Sequence, residues 1–108
     1  METVKLGQEV LVTPEMLKEM IESQASVYVL DIRKEEDYEE GSIPLAVHSD
    51  WEAVADLIQE DKLPKDKKIV VYCYNGQSSM QVAMVLNMQG YDAYSLLDGY
   101  EGWRQLID

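Results

Sequence analysis

Cysteine is almost missing from this chain of 108 residues: Cys73 is the only one, and His48 is the only histidine. A single thiol excludes an internal disulfide and any cluster held by several thiolates, and one histidine adds too little for a zinc site. No metal and no dissociable cofactor is therefore expected. Long apolar runs are absent too, and the N-terminus shows no basic segment followed by an apolar stretch. The expectation is a cytoplasmic chain with no secretory leader and no membrane contact. Basic residues are scarce, 9 Lys and Arg against 21 Asp and Glu, for a net charge of −12. That balance argues against nucleic acid or anionic lipid as a partner. It also means that a small anion can approach only where a local positive field overcomes the repulsion. Repeats, low-complexity tracts and linkers are absent, so residues 1–108 are expected to form one domain, with 46% apolar residues for its core.

What is present alternates between strand and helix. Glu9 to Val12 reads as a short strand. Thr13 and Pro14 open a helix as N-cap and first helical residue, with Met16, Leu17, Met20 and Ile21 on one face. Val27 to Ile32 is a buried strand, Lys34 to Glu40 a short acidic helix ended by Gly41, and Ile43 to Val47 an extended segment with a brief strand. Asp50 caps a helix that turns Trp51, Val54, Ala55, Leu57 and Ile58 to the core. Ile69 to Tyr72 is apolar, β-branched and too short for a helix. A helix follows Ser78 and runs to Gly90, a C′ glycine; Asp92 to Leu97 is the last strand, Asp98-Gly99 a turn, and Tyr100 to Ile107 the closing helix. The pattern predicts an α/β fold with a mainly parallel central sheet and helices on both faces.

Cys73 falls where the Ile69–Tyr72 strand breaks into Cys73-Tyr-Asn-Gly-Gln-Ser-Ser79 ahead of a helix. Open parallel sheets bind ligands at the carboxyl ends of their strands. A run of backbone N–H groups and a helix N-terminus both favour an anion there, so this thiol is expected to ionise more readily than a free one. A lone cysteine is also a common small core residue. Its place at a strand end before a glycine loop sets Cys73 apart from that reading.

These residues resemble the rhodanese (sulfurtransferase) family over nearly the whole chain. Thr13-Pro-Glu-Met-Leu17 resembles the family's opening helix, and Val29-Leu-Asp31-Ile-Arg33 its Asp-x-Arg strand end. Tyr38-Glu-Glu-Gly41-Ser-Ile-Pro44-Leu-Ala46 is similar to Glu-Gly-His-Ile-Pro-Gly-Ala, with Ser42 and Leu45 replacing the common His and Gly. Ile69 to Ser79 is similar to the strand and active loop, and Leu97-Asp-Gly99-Tyr-Glu-Gly102-Trp103 to the closing signature. Five motifs in the same order and spacing are specific where one alone is weak. The family loop often carries arginines one and five residues after the cysteine; here those positions are Tyr74 and Ser78. A bacterial single-domain thiosulfate sulfurtransferase subgroup has a similar neutral loop, Cys-Tyr-x-Gly-x-Ser-Ser.

The resemblance implies ping-pong sulfur transfer by Cys73 from thiosulfate or a similar donor, through a cysteine persulfide, to a thiol or to cyanide. Tyr74, Asn75, Gly76, Gln77, Ser78 and Ser79 would form the substrate cradle from backbone N–H groups and the serine hydroxyls. Each such donor contributes up to roughly 3 kcal/mol at a developing charge. No second cysteine exists to resolve the persulfide, so the sulfur must leave to another molecule. A persulfide carrier or sensing module that hands sulfur to a partner protein is the competing class. A phosphatase or arsenate reductase is a third, but its Cys-x5-Arg loop would need arginine at Ser79.

Asp31 and Arg33 read as a structural ion pair shaping the neighbouring loop, with a supporting contact to substrate as the alternative. His48 reads as a satisfied or solvent-facing side chain rather than a general base. The run Glu35 to Glu40 reads as a solvated face. The helix from Ser79 to Gln89 has no charged residue; Ser79, Val82, Ala83, Leu86 and Gly90 share the arc that faces the sheet, and Met84 and Met88 lie opposite with Met80 at the flank. Those methionines suit either a second core contact under a loop or an adaptable docking surface for an acceptor protein.

Overall fold

The structure, a computed structural model, describes residues 10–23 and 25–107. Strands and helices alternate along them: β1 (Leu11–Val12), α1 (Pro14–Glu22), β2 (Val27–Asp31), α2 (Glu35–Glu40), β3 (Ala46–His48), α3 (Trp51–Gln59), β4 (Lys68–Tyr72), α4 (Gln77–Met88), β5 (Asp92–Leu96) and α5 (Gly99–Ile107). All pairings are parallel, in the order β1-β5-β4-β2-β3. The expected α/β class with a parallel sheet is what forms. Only Leu11 and Val12 pair in the first strand, and the expected start at Glu9 lies outside the described residues.

The sheet is covered on both faces because β4 alternates two apolar sets. Ile69 and Val71 join Leu30, Val54, Val82 and Leu86 under α3 and α4. Val70 and Tyr72 point the other way and pack with Val29, Leu17, Leu96 and Trp103 under α1 and α5. Buried side chains at every position from Ile69 to Tyr72 leave that stretch no solvent face, as a central parallel strand requires.

Two helices, α1 and α3, begin at a capping side chain. The Thr13 hydroxyl accepts from the Met16 N–H at 3.1 Å with Pro14 at the first turn, and the Asp50 carboxylate accepts from the Ala53 N–H at 2.9 Å. Two expected core positions turn outward. Met16 is 50% exposed and Ala55 is also exposed, because Leu17-Met20-Ile21 and Val54-Leu57-Ile58 already occupy the narrow inward stripe and the next residue falls about 100° away. On α4 the reading by arc holds for Ser79, Val82, Ala83 and Leu86, all buried. Gly90 continues that arc in sequence but is exposed past the helix end, at φ +94 as a C′ glycine. Met84 and Met88 face outward, the latter 75% exposed, so they are not a second core contact among the described residues.

The chain runs outward from β2 to β3 on one side of the sheet and from β4 to β5 on the other. The carboxyl ends of β2 and β4 therefore flank the switch point, where adjacent connections diverge and leave a crevice. Asp31 and Arg33 lie at one lip and Cys73 at the other.

Candidate active site

The loop after β4 is built around Gly76. It stands at φ +100 as the N-cap of α4, a conformation that L side chains resist, and an added Cβ would crowd the Leu96 carbonyl at 3.3 Å. The turn brings the Gly76 N–H back onto Cys73 Sγ at 3.2 Å. Ser79, one turn into the helix, sets its hydroxyl 3.6 Å from the same sulfur and 2.7 Å from Ser95 Oγ on β5. Cys73 is 5% exposed and Ser79 and Ser95 are fully buried.

Burial alone would push the Cys73 thiol up. The Ser79 hydroxyl, followed by the N–H groups of Ser79, Gly76 and Asn75, outweighs it and holds the thiol below its ordinary value. The twelve-residue helix α4 also points its positive end at the sulfur, with no acidic residue in its first turn to cancel it. The thiolate-favouring environment expected at this strand end is therefore present without a cation.

The other loop residues divide by task. The Asn75 carboxamide oxygen accepts from the Gln77 N–H at 3.1 Å, which shapes the turn and takes that N–H out of the cradle. Gln77 and Ser78 are exposed on the first turn of α4. The Tyr74 side chain swings away from the sulfur, and its hydroxyl donates to Asp37 on α2, which raises the phenol's pKa. Of the six expected cradle residues, Asn75, Gly76 and Ser79 reach Cys73 with polar groups.

The far end of the loop is gripped by α5. The N–H groups of Tyr100 and Glu101 donate to the carbonyls of Cys73 and Tyr74 at 2.8 and 3.1 Å. Gly99, at φ +57, makes this approach possible: a Cβ there would lie 2.5 Å from the Cys73 carbonyl oxygen. The closing Gly99-Tyr100 segment is thus a clamp on the candidate nucleophile's own backbone.

Asp31 and Arg33 form a buried pair rather than a surface one. Asp31 is fully buried, Arg33 is 4% exposed, and Arg33 Nη2 sits 2.7 Å from Asp31 Oδ2 and donates to the Gly41 carbonyl at 2.7 Å. The Tyr72 hydroxyl also donates to Asp31 Oδ2 at 2.7 Å and accepts from the Ile43 N–H at 3.2 Å. Burial works to lower the guanidinium's pKa, but the bond to and charge of Asp31 reverse that and raise it. The pair thus anchors the 41–43 segment over the sheet, and its side-chain hydrogen bonds among the described residues go to Gly41 and Tyr72 and not to Cys73. His48 spends Nε2 on the Arg33 carbonyl at 2.6 Å and packs its ring on Tyr38, so it is a satisfied side chain and not a base poised at the thiol.

Three participants escaped the reading of the sequence. Ser95 is a fully buried polar residue in β5, and that inward polarity was its one signal. Tyr72 reads as plain core until its hydroxyl is seen on Asp31. The Asp37 partner of Tyr74 lies within an acidic run whose residues look interchangeable.

Fold and site together define the class. The rhodanese-like domain family matches residues 13–106, and the chain belongs to that family of sulfurtransferases. It is similar to a thiosulfate sulfurtransferase GlpE of Pseudomonas syringae pv. syringae (strain B728a), 39% identical over 94 residues that span 86% of this chain and 85% of the relative. A thiosulfate sulfurtransferase GlpE of Coxiella burnetii (strain RSA 331 / Henzerling II) is 37% identical over 79 residues, 72% of each chain. The crystal structure of a rhodanese-related protein from Thermoplasma volcanium superposes with a TM-score of 0.74 at 25% identity, covering 88% of this chain and 90% of that one. No described helix is long and apolar enough to cross a membrane.

Proposed function

We propose that the chain is a thiosulfate-type sulfurtransferase that carries sulfur as a persulfide on Cys73. The Cys73 thiolate attacks the outer sulfur of thiosulfate. A bond forms between Sγ and that sulfur, the sulfur–sulfur bond of the donor breaks, and sulfite leaves with the electron pair. An acceptor thiolate, or cyanide in an assay, then takes the outer sulfur and returns the electron pair to Cys73.

The observation that carries this reading is the environment of Sγ, a nearly buried sulfur facing the Gly76 N–H and the Ser79 hydroxyl at the positive end of α4. Those donors stabilise both the starting thiolate and a terminal anionic sulfur just beyond it. Thiosulfate as donor is supported by the likeness to the GlpE thiosulfate sulfurtransferases, while the loop here offers neutral donors in place of the arginines of other family loops. A phosphatase reading lacks its essential part: Ser79 occupies the position of the clamping arginine and is bonded to Ser95.

Steady-state turnover of thiosulfate and cyanide, run beside intact-mass measurement after exposure to thiosulfate alone, tests the proposal. The expected result is thiocyanate formation, a mass gain of one sulfur atom that cyanide removes, and the loss of both in Cys73→Ser. Transfer by that variant above the uncatalysed rate would overturn the reading. A stable sulfur adduct that cyanide does not discharge would assign the chain a carrier's task instead.

A further inference from the structure

Two hydroxyls stand in line behind the Cys73 sulfur. Ser79 Oγ lies 3.6 Å from Sγ and 2.7 Å from Ser95 Oγ. Both serines are fully buried, and Ser95 reaches the site from β5, 16 residues beyond Ser79. Among the described residues the Ser79 hydroxyl bonds only to Sγ and Ser95, and the Ser95 hydroxyl only to Ser79. The line therefore ends at Ser95.

A hydroxyl carries one proton, so the direction of each bond in the line can be counted. With Cys73 as a thiol the line holds three protons for two links, and at least one proton finds no acceptor within it. A buried donor without a partner is costly. With Cys73 as a thiolate there are two protons for two links. Ser95 then donates to Ser79, Ser79 donates to Sγ, and both protons are used. The reverse direction, Ser79 donating to Ser95, would strand the Ser95 proton and take the hydroxyl donor from Sγ.

Building on the sulfur-transfer reading above, we propose that Ser95 is a positioning residue whose proton turns the Ser79 hydroxyl onto Cys73 Sγ, so that the buried line favours charge on that sulfur. Ser95 touches neither donor nor acceptor and acts through Ser79 alone. Its effect differs between the two half-reactions. When thiosulfate is attacked, the charge leaves Sγ and the outer sulfur takes it up. When cyanide takes that outer sulfur, the bond to Sγ breaks, the electron pair returns to Sγ, and the line stabilises it there.

Iodoacetamide alkylation against pH reads the ionisation of Cys73 without any sulfur transfer. The other groups that favour the thiolate are the N–H groups of Asn75, Gly76 and Ser79, none of which titrates, so a moved midpoint reports the line. Ser95→Ala should raise the midpoint by up to about one pH unit, a tenfold change in the ionisation constant. Ser79→Ala should raise it at least as far, and the double variant no further than Ser79→Ala alone. An unmoved midpoint in Ser95→Ala, or effects that add in the double variant, would overturn the proposal. Ser95→Thr keeps the hydroxyl and should keep the parent's midpoint; if the added methyl group unfolds it, the three alanine variants decide. In a ping-pong scheme kcat/KM for each substrate reports one half-reaction. Above every midpoint, Ser95→Ala should lower kcat/KM for cyanide about three- to tenfold and change that for thiosulfate by less than about twofold. Equal losses in both would make Ser95 a structural support and refute the positioning role. A parent with no turnover but with the expected midpoints would overturn sulfur transfer and leave the line standing; turnover with unmoved midpoints would do the opposite.

Discussion

Ser79 shows how much of this site depends on one hydroxyl. A hydroxyl has one proton and two lone pairs. When Ser95 donates to Ser79 across 2.7 Å, the Ser79 proton is left for the sulfur 3.6 Å away. Burial opposes ionisation of Cys73, and this donor leads the set that overcomes it. Alkylation of Cys73 by iodoacetamide should therefore titrate below the ordinary thiol value of about 8.5. Ser79→Ala should move that midpoint up and lower turnover by roughly tenfold or less, the worth of one neutral hydrogen bond. An unchanged midpoint would remove Ser79 from the activation of the thiol. The same shift has a sign in stability. Because the folded value is depressed, the ionised thiol contributes stability that is complete above the unfolded value and is lost as pH falls through the folded one. The difference in unfolding free energy between the parent and Cys73→Ser should accordingly grow with pH across that window.

At the scale of elements, the N-terminus of α5 matters as much as that of α4, since it holds the carbonyls of Cys73 and Tyr74. Gly99→Ala places a Cβ 2.5 Å from the Cys73 carbonyl oxygen at φ +57. The left-handed backbone alone costs a non-glycine residue about 1–2 kcal/mol, and the clash adds to it. We expect a protein that is less stable by at least that amount in urea and that has lost most of its sulfur-transfer rate even where it remains folded. Full activity would show that the clamp is dispensable. The opposite outcome is expected on the outer face of α4. Met84 and Met88 are exposed, so Met84→Glu with Met88→Lys should shift stability by no more than about 0.5 kcal/mol on denaturant unfolding. These cases also mark what periodicity makes legible. Apolar runs and caps locate most described strands and helices to within a residue or two, because burial and capping are local. The extended start expected at Ile43 is instead a turn at Pro44 and Leu45, with Leu45 at φ +72, and β3 begins only at Ala46. The clamp and the Ser79–Ser95 contact join residues distant in sequence, and only the turn glycines hint that something must approach closely there. Asp31 and Arg33 were legible as a pair, while their full burial was not, since it depends on the 41–43 segment folding over them.

For the molecule as a whole, charge and topology pull in different directions. The switch point between β2 and β4 gathers Cys73, the α4 terminus and a groove lined by Arg33 and Arg104 at one edge of the sheet. The chain as a whole carries a net charge of −12, so a dianionic donor is expected to be repelled at long range and welcomed only within the last few ångströms. Salt separates the two regimes, because at an ionic strength near 0.15 M the screening length is about 8 Å, shorter than the protein but longer than a hydrogen bond. Screening should weaken the distant repulsion while leaving the contacts around Sγ nearly intact. The rate of persulfide formation from thiosulfate, measured by stopped mixing and intact mass at limiting donor, is therefore expected to rise several-fold between about 0.01 and 0.15 M salt. A neutral alkylating agent at Cys73, compared at equal thiolate fraction, should show little change over the same range. A thiosulfate rate that falls with salt would mean that the guanidinium groups and the helix end already dominate the field along the whole approach, and that the net charge of the chain does not govern entry to the site.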